Sequence, residues 1–346
     1  MDKTISLGNR IVGGTNPTFI IAEIGLNHNG KLELAKKLVR AAKESGADAV
    51  KFQKRDLKAL YKNDVYKNPN KDSQSTSYLF EIFKKFELSN KEFVELKKYC
   101  EHIGILFFCT PFDRKSAEFL NSIDVPFFKV SSSDLTNIPL IDYIVGTKKP
   151  LILSTGMSQV EEIDFTCKFL EKKKAEFAFM HCVSTYPTAF KDVNLKMIEF
   201  LRNRYKVPVG YSGHERGIVV SIGAAAIGAK ILERHFTLNR SWEGPDHNIS
   251  LTPSGFKKMV ERIRVIESAL GTDKKSMSRG EYLTREVFAK SLIARTDIKK
   301  GEKITYEMID IKAPGKGLNP QKIERLLGKK AKRDIKKYDF FYQLDI

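Results

Sequence analysis

The chain has 346 residues, 42% of them hydrophobic, with 23 Phe and 12 Tyr, enough to bury one large core and a smaller one, so a disordered chain is excluded. No apolar run is long enough for a membrane span, and the opening MDKTISLGNR lacks an apolar stretch ending in a small-residue cleavage site, so a cytoplasmic protein is expected. The formal charge of +18 is partly concentrated between Lys274 and Ile346, where 19 basic residues face 10 acidic ones; the basic residues include four Lys-Lys doublets and form no recognisable nucleic-acid-binding module, which argues against a nucleic-acid partner.

In chain order, eight short apolar runs recur: FIIAEIG (19–25), AVKFQK (49–54), ILFFCT (105–110), FFKVSS (127–132), LILST (151–155), FAFMHC (177–182), VPVGYSG (207–213) and KILERH (230–235). Most are separated by segments of helical spacing. In LELAKKLVRAAKESGA (32–47), Leu34, Leu38, Ala41 and Ala42 fall on one face and Gly46 ends the pattern. Eight strand–helix units imply parallel pairing and a closed (β/α)8 TIM barrel. The absence of a G-x-G-x-x-G after the first strand weighs against an open doubly wound sheet. An Asn- and Ser-rich insertion between the second and third runs reads as a lid or substrate-side loop. The boundaries expected are a barrel over residues 1–270, a linker over 271–284 and a small, mostly β domain over 285–346. Cys100, Cys109, Cys167 and Cys182 match neither a zinc ribbon nor a CxxC pair, so free thiols are expected.

Each run ends in polar residues, where a barrel carries its chemistry. They include Glu23, Lys51, Gln53, Thr110, Lys129, Ser132, Asp134, Ser154, Ser184, Tyr186, Ser212 and Glu233. Two lysines with Thr110, Ser132, Ser154 and Ser212 are what a phosphate-like anion needs. His214 and His235 end neighbouring strands, so their imidazoles can share a divalent ion whose remaining positions stay open. Alternation puts Ile231, Glu233 and His235 on one face and Arg234 on the other, towards the helices.

IAEIGLNHNG, VKFQ, CTPFD, FFKVSSSD, LSTGMS, HCVSTYPT, GYSGHERG, ERHFTL and GPDHNISL together resemble the sialic acid synthase family across nearly the whole chain. The tail resembles its small antifreeze-like (SAF, β-clip type) domain. The resemblance implies condensation of phosphoenolpyruvate with an N-acylated amino sugar in open-chain form, N-acetylneuraminate synthesis from N-acetylmannosamine being the first expectation. Alternatives are legionaminic or pseudaminic acid synthesis, or formation of the 9-phosphate from a 6-phosphorylated sugar. It implies Mn2+, with Mg2+ or Co2+ as substitutes, on His214 and His235. Phosphoenolpyruvate would lie against Lys51, Thr110, Lys129, Ser132, Ser154, Ser184 and Ser212, and the sugar against Gln53, Tyr186 and Asp246. Glu23 and Asp134 would stand near the reacting atoms, and Glu233 beside the metal-side water. A domain-swapped homodimer is implied as well. Three positions depart from the bacterial pattern: Asp134 stands where Glu is frequent, Ser184 where Asn is, and Ala313 of KAPGKG at the arginine of an RPG motif, which makes Lys312 or Lys316 the candidate substitute.

Overall fold

The computed structural model describes residues 3–345. The chain divides into two units, Met1–Gly271 and Thr272–Ile346. The first opens with an antiparallel hairpin of β1 (Thr4–Leu7) and β2 (Arg10–Gly13). Eight parallel strands follow: β3 (Phe19–Gly25), β4 (Ala49–Lys54), β5 (Leu106–Pro111), β6 (Phe128–Val130), β7 (Leu151–Ser154), β8 (Phe177–Cys182), β9 (Val209–Gly213) and β10 (Ile231–His235). They close into a barrel in sequence order, with β10 pairing back onto β3.

Inside this barrel the inward positions change character within one alternation of each strand. The lower layer is apolar: Phe19 and Ile21, Ala49, Phe108, Phe127, Ile152, Ala178 and Met180, and Ile231, plugged from below by Ile5, Leu7 and Val12 of the hairpin. One step on along the same faces stand Glu23, Lys51, Thr110, Lys129, Ser154, Cys182 and Glu233, all buried. The apolar plug keeps water out of the bottom and leaves the polar layer facing the mouth only.

The outward faces meet the helices in a second apolar layer, as buried parallel strands require. Helix Leu32–Glu44 buries Ala35, Leu38, Val39 and Ala42, a 3.6-residue stripe rotated slightly from the expected one, so that Leu34 and Ala41 lie at its margin. The insertion after β4 is built of helical pieces, Leu57–Leu60, Asn63–Lys67 and Gln74–Phe86, rather than open loop.

In the second unit, helix Arg279–Phe288, started by a Ser278–Glu281 capping box, runs across the expected 284/285 boundary between linker and small domain. Beyond it, β11 (Ser291–Ala294) pairs antiparallel with β12 (Ile309–Lys312) over a small core including Leu292, Ile298, Ile304, Ile309, Leu326 and Phe341. No helix among the described residues is long and apolar enough to cross a membrane.

Candidate active site

The barrel mouth opens into a cavity of about 340 Å3. Of the residues expected there, Glu23, Lys51, Gln53, Thr110, Lys129, Ser132, Ser154, Ser184, Tyr186, Ser212, His214, Glu233, His235 and Asp246 line it. At its floor two lysines interleave with two carboxylates. Lys51 Nζ lies 3.0 Å from Glu23 Oε2 and 3.6 Å from Glu233 Oε1, and donates to Thr110 Oγ1 at 2.9 Å. Lys129 Nζ is 4.0 Å from Glu233 Oε1 and donates to Ser154 Oγ. Burial disfavours charge on both lysines. For Lys51 the Glu23 and Glu233 carboxylates override it, and its pKa is raised; for Lys129 burial wins, and its pKa is lowered.

Glu23 is held from its other side by Gln53, whose Nε2 donates to Glu23 Oε1 at 2.7 Å. Its Oε2 touches Lys51 at ion-pair distance without hydrogen-bond alignment, so a lone pair there remains free. Glu233 Oε2 and Ser184 Oγ are also buried without a partner. Such orphaned atoms, lining a cavity, point to a ligand that completes them. Gly156 makes the hydroxyl cradle possible: a Cβ there would stand 2.4 Å from Ser184 Oγ and 2.8 Å from Ser132 Oγ.

His214 and His235 have ring centroids 5.6 Å apart, and Tyr186 packs against His214 with centroids 4.2 Å apart. His214 Nδ1 is 2.8 Å from the Val183 carbonyl, to which it donates in the tautomer that leaves Nε2 a lone pair. Burial, with His235 beside it, pushes the His214 pKa down to about 3, so the ring is neutral. His235 Nδ1 is buried without a hydrogen bond, 3.6 Å from Asp246 Oδ2. Among the described residues no cluster of three or more His, Cys, Asp or Glu forms a closed cage. Two imidazoles and a nearby carboxylate therefore fit an exchangeable divalent ion with open positions rather than a structural one.

Arg234 turns outward and braces the loop that carries His214. Its Nη1 donates to Glu215 Oε1 at 2.7 Å and to Gly217 O and Ser221 Oγ at 2.8 Å, and Nη2 donates to Glu215 O at 2.5 Å. Tyr211 Oη closes the network on Glu215 Oε2 at 2.6 Å.

Asp134 is placed differently from expectation. It does not line the cavity: β6 ends at Val130, a 3-10 turn follows over Ser132–Asp134, and the carboxylate folds back to accept from Asn137 Nδ2 at 2.9 Å and Ser131 Oγ at 2.7 Å. Lys312 belongs to the second unit, where its ammonium pairs with Asp310 at 3.3 Å and lies over the Tyr338 ring. The remaining histidines of the mouth are structural. His181 Nε2 meets Val193 O at 2.6 Å, and His247 bridges Thr237 and Asn29. The four cysteines are free and buried, and burial pushes the Cys109 thiol well up, away from thiolate chemistry.

Leu26, Arg55, Leu79, Phe83, Phe112, Met157 and Pro245 also line the cavity, beyond the residues expected there. Leu79 and Phe83 lie on the inserted helix Gln74–Phe86, where an apolar residue looks like core. Arg55 was detectable, because it continues the Lys51, Gln53 alternation one step further.

Residues 38–275 match the NeuB family, and residues 289–343 the SAF domain. The chain is 43% identical over 347 residues to an uncharacterized protein of Methanocaldococcus jannaschii, covering 100% of this chain and 99% of that one. It is 39% identical over 324 residues to the N-acetylneuraminate-9-phosphate synthase of Homo sapiens, covering 93% and 90%. Among solved structures it superposes on the N-acetylneuraminic acid synthetase of Leptospira borgpetersenii, solved in complex with citrate, with a TM-score of 0.74 and 36% identity over 82% of this chain and 95% of that one.

Proposed function

The chain belongs to the NeuB family, that of phosphoenolpyruvate-dependent nonulosonic acid synthases, and we propose that it condenses phosphoenolpyruvate with N-acetylmannosamine or a close derivative, and water, to give an N-acetylneuraminate-type 2-keto acid and phosphate. The observation that carries this reading is the stacking, within one cavity, of a lysine–hydroxyl floor beneath a pair of neighbouring imidazoles.

In this reading the phosphoenolpyruvate anion lies on Lys51, Lys129, Thr110, Ser154 and Ser212, with Ser132 and Ser184 around it. A divalent ion on His214 and His235, Mn2+ by preference, supplies polarisation of the sugar aldehyde oxygen when bound. The sugar lies between Gln53, Tyr186 and Asp246. The enol carbon C3 attacks C1 of the aldehyde, water adds at C2, and the tetrahedral adduct loses phosphate by C–O cleavage. Glu23 positions or deprotonates that water through the remaining lone pair of Oε2, and the lysines balance the phosphate charge throughout. Glu233, deep between the lysines and bonded by Ser212 at 3.3 Å, sets the charge of the floor. Asp134 braces its own turn and takes no part in the chemistry.

The test is phosphate release from phosphoenolpyruvate. It should require Mn2+ together with an amino sugar and disappear in His235→Ala, whose fold persists by circular dichroism. Release that is indifferent to metal or to the acceptor overturns the reading. A 2,4-diacetamido-6-deoxy hexose as the sole accepted sugar would move the enzyme to the legionaminic or pseudaminic branch. We further propose a cytoplasmic, domain-swapped homodimer in which the small domain, with Lys312, serves the partner's barrel; sedimentation at twice 39.4 kDa is the expected outcome.

A further inference from the structure

Arg55 is a buried cation in the substrate cavity with no role in the reaction as derived above. It directly follows β4, whose inward positions Lys51 and Gln53 climb the cavity wall about 6.6 Å apart at the rise of an extended chain, and it lines the same cavity next to Gln53, to which it donates. Lys51 belongs to the phosphoenolpyruvate floor and Gln53 to the level of the reacting carbons. Arg55 therefore stands at the height reached by the end of the acceptor remote from its aldehyde.

Its surroundings leave one way to use it. The guanidinium carbon lies over two aromatic rings, 4.2 Å from the Phe83 centroid and 3.9 Å from that of Phe112, so its N–H groups are what remain to meet a ligand. Of these, Nη2 donates to Gln53 Oε1, while Nη1 is buried with no partner. The carboxylates that face it are Glu87, Asp246 and Glu23, and each is engaged elsewhere: Glu87 by Lys54 at 2.7 Å, Asp246 beside His235, and Glu23 by Lys51 and Gln53. Among the described residues Arg55 forms no ion pair of its own. A desolvated guanidinium with an orphaned N–H and two aromatic walls is an expensive feature unless an anion completes it.

We infer that Arg55 receives a phosphomonoester at the far end of the acceptor, so that the sugar is a hexosamine 6-phosphate. The inference rests on the synthase reading and narrows its substrate class. Two more features accord with it. Arg55 Nη2, Gln53 and Glu23 form a continuous hydrogen-bond line, so anchoring the sugar's tail also fixes the side chain that orients Glu23. The planar fork held against two rings presents donors at fixed angles, which suits phosphate better than a single hydroxyl.

The experiment compares N-acetylmannosamine 6-phosphate with N-acetylmannosamine, in wild type, Arg55→Lys and Arg55→Gln, by phosphate release from phosphoenolpyruvate with Mn2+. Wild type should prefer the phosphorylated sugar. Arg55→Gln should lose that preference by roughly 10–100-fold in the ratio of kcat/KM values, with Arg55→Lys between. In parallel, calorimetry with the reduced, unreactive N-acetylmannosaminitol 6-phosphate should show binding to wild type that weakens in the same order. A wild type that prefers the neutral sugar, or variants that slow both sugars equally, overturns the assignment. If no sugar is turned over, the synthase reading has failed, and calorimetry alone decides for or against Arg55.

Discussion

Arg234→Met tests how the metal-side loop is held. The guanidinium and the Glu215 carboxylate are about as buried as any charges in the chain, at 1% and 0% side-chain exposure, 2.7 Å apart. Removing the cation leaves the carboxylate with one neutral donor, Tyr211 Oη, and strands the carbonyls of Glu215 and Gly217. Breaking a buried pair from one side costs about 3–5 kcal/mol, a large share of the roughly 5–15 kcal/mol that holds a domain together. The protein should still fold, with its unfolding free energy lowered by about that amount when followed by the fluorescence of Trp242, the single tryptophan, which lies in the barrel unit. Adding Glu215→Leu removes the stranded charge and should restore at least half the loss. Because His214 precedes Glu215, the single variant should also bind Mn2+ roughly 10–100-fold more weakly in an electron paramagnetic resonance titration. Wild-type stability in Arg234→Met, or a double variant no better than the single one, would falsify the view that the buried charge pair holds this loop.

Gly156→Ala should raise the KM for phosphoenolpyruvate about tenfold in steady-state assays, since its Cβ would displace the Ser184 and Ser132 hydroxyls by direct overlap. Lys129→Met should raise the same KM more than it lowers stability, whereas Lys51→Met, which leaves Glu23 and Glu233 sharing one weakly coupled lysine, should lower the unfolding free energy by about 3 kcal/mol or more in urea titrations. His28 is buried and its pKa is pushed down to about 4, by burial first, from an ordinary 6.5. Its unfolded form thus binds more protons between those values, so its stabilising contribution is complete above pH 6.5 and is lost as pH falls towards 4, by about 3 kcal/mol. Acid titrations of His28→Gln should lack that slope.

The barrel was legible because every strand carries two signals at once, a β-rich apolar run and a polar terminus, and both repeat eight times. Alternation even separated Arg234 from Glu233 and His235. It failed where the strand stopped. Asp134 lies beyond the three-residue β6, and once the backbone enters a 3-10 turn the period of two no longer says where a side chain points. Its neighbours contained the hint, since Ser131, Ser133 and Asn137 are the short donors that hold a turn-forming Asp. Leu79 and Phe83 were invisible for a different reason. A cavity wall and a core use the same residues, and only the placement of the inserted helix distinguishes them.

The floor of the site shows why two lysines are present rather than one. Lys51 is bracketed by two carboxylates and keeps its proton without any ligand, so it acts as a fixed element that holds Glu23 and Glu233 apart. Lys129 has the more distant Glu233, a serine hydroxyl and the Val130 carbonyl at 3.4 Å, and burial works against its charge. In the proposed reaction the phosphate of phosphoenolpyruvate would be a closer anionic partner for it, and that pairing would offset the burial that disfavours its charge. The two cations thus separate structural from ligand-dependent electrostatics. With the apolar plug beneath them excluding water, the field they create is directed to the one side from which a substrate can enter.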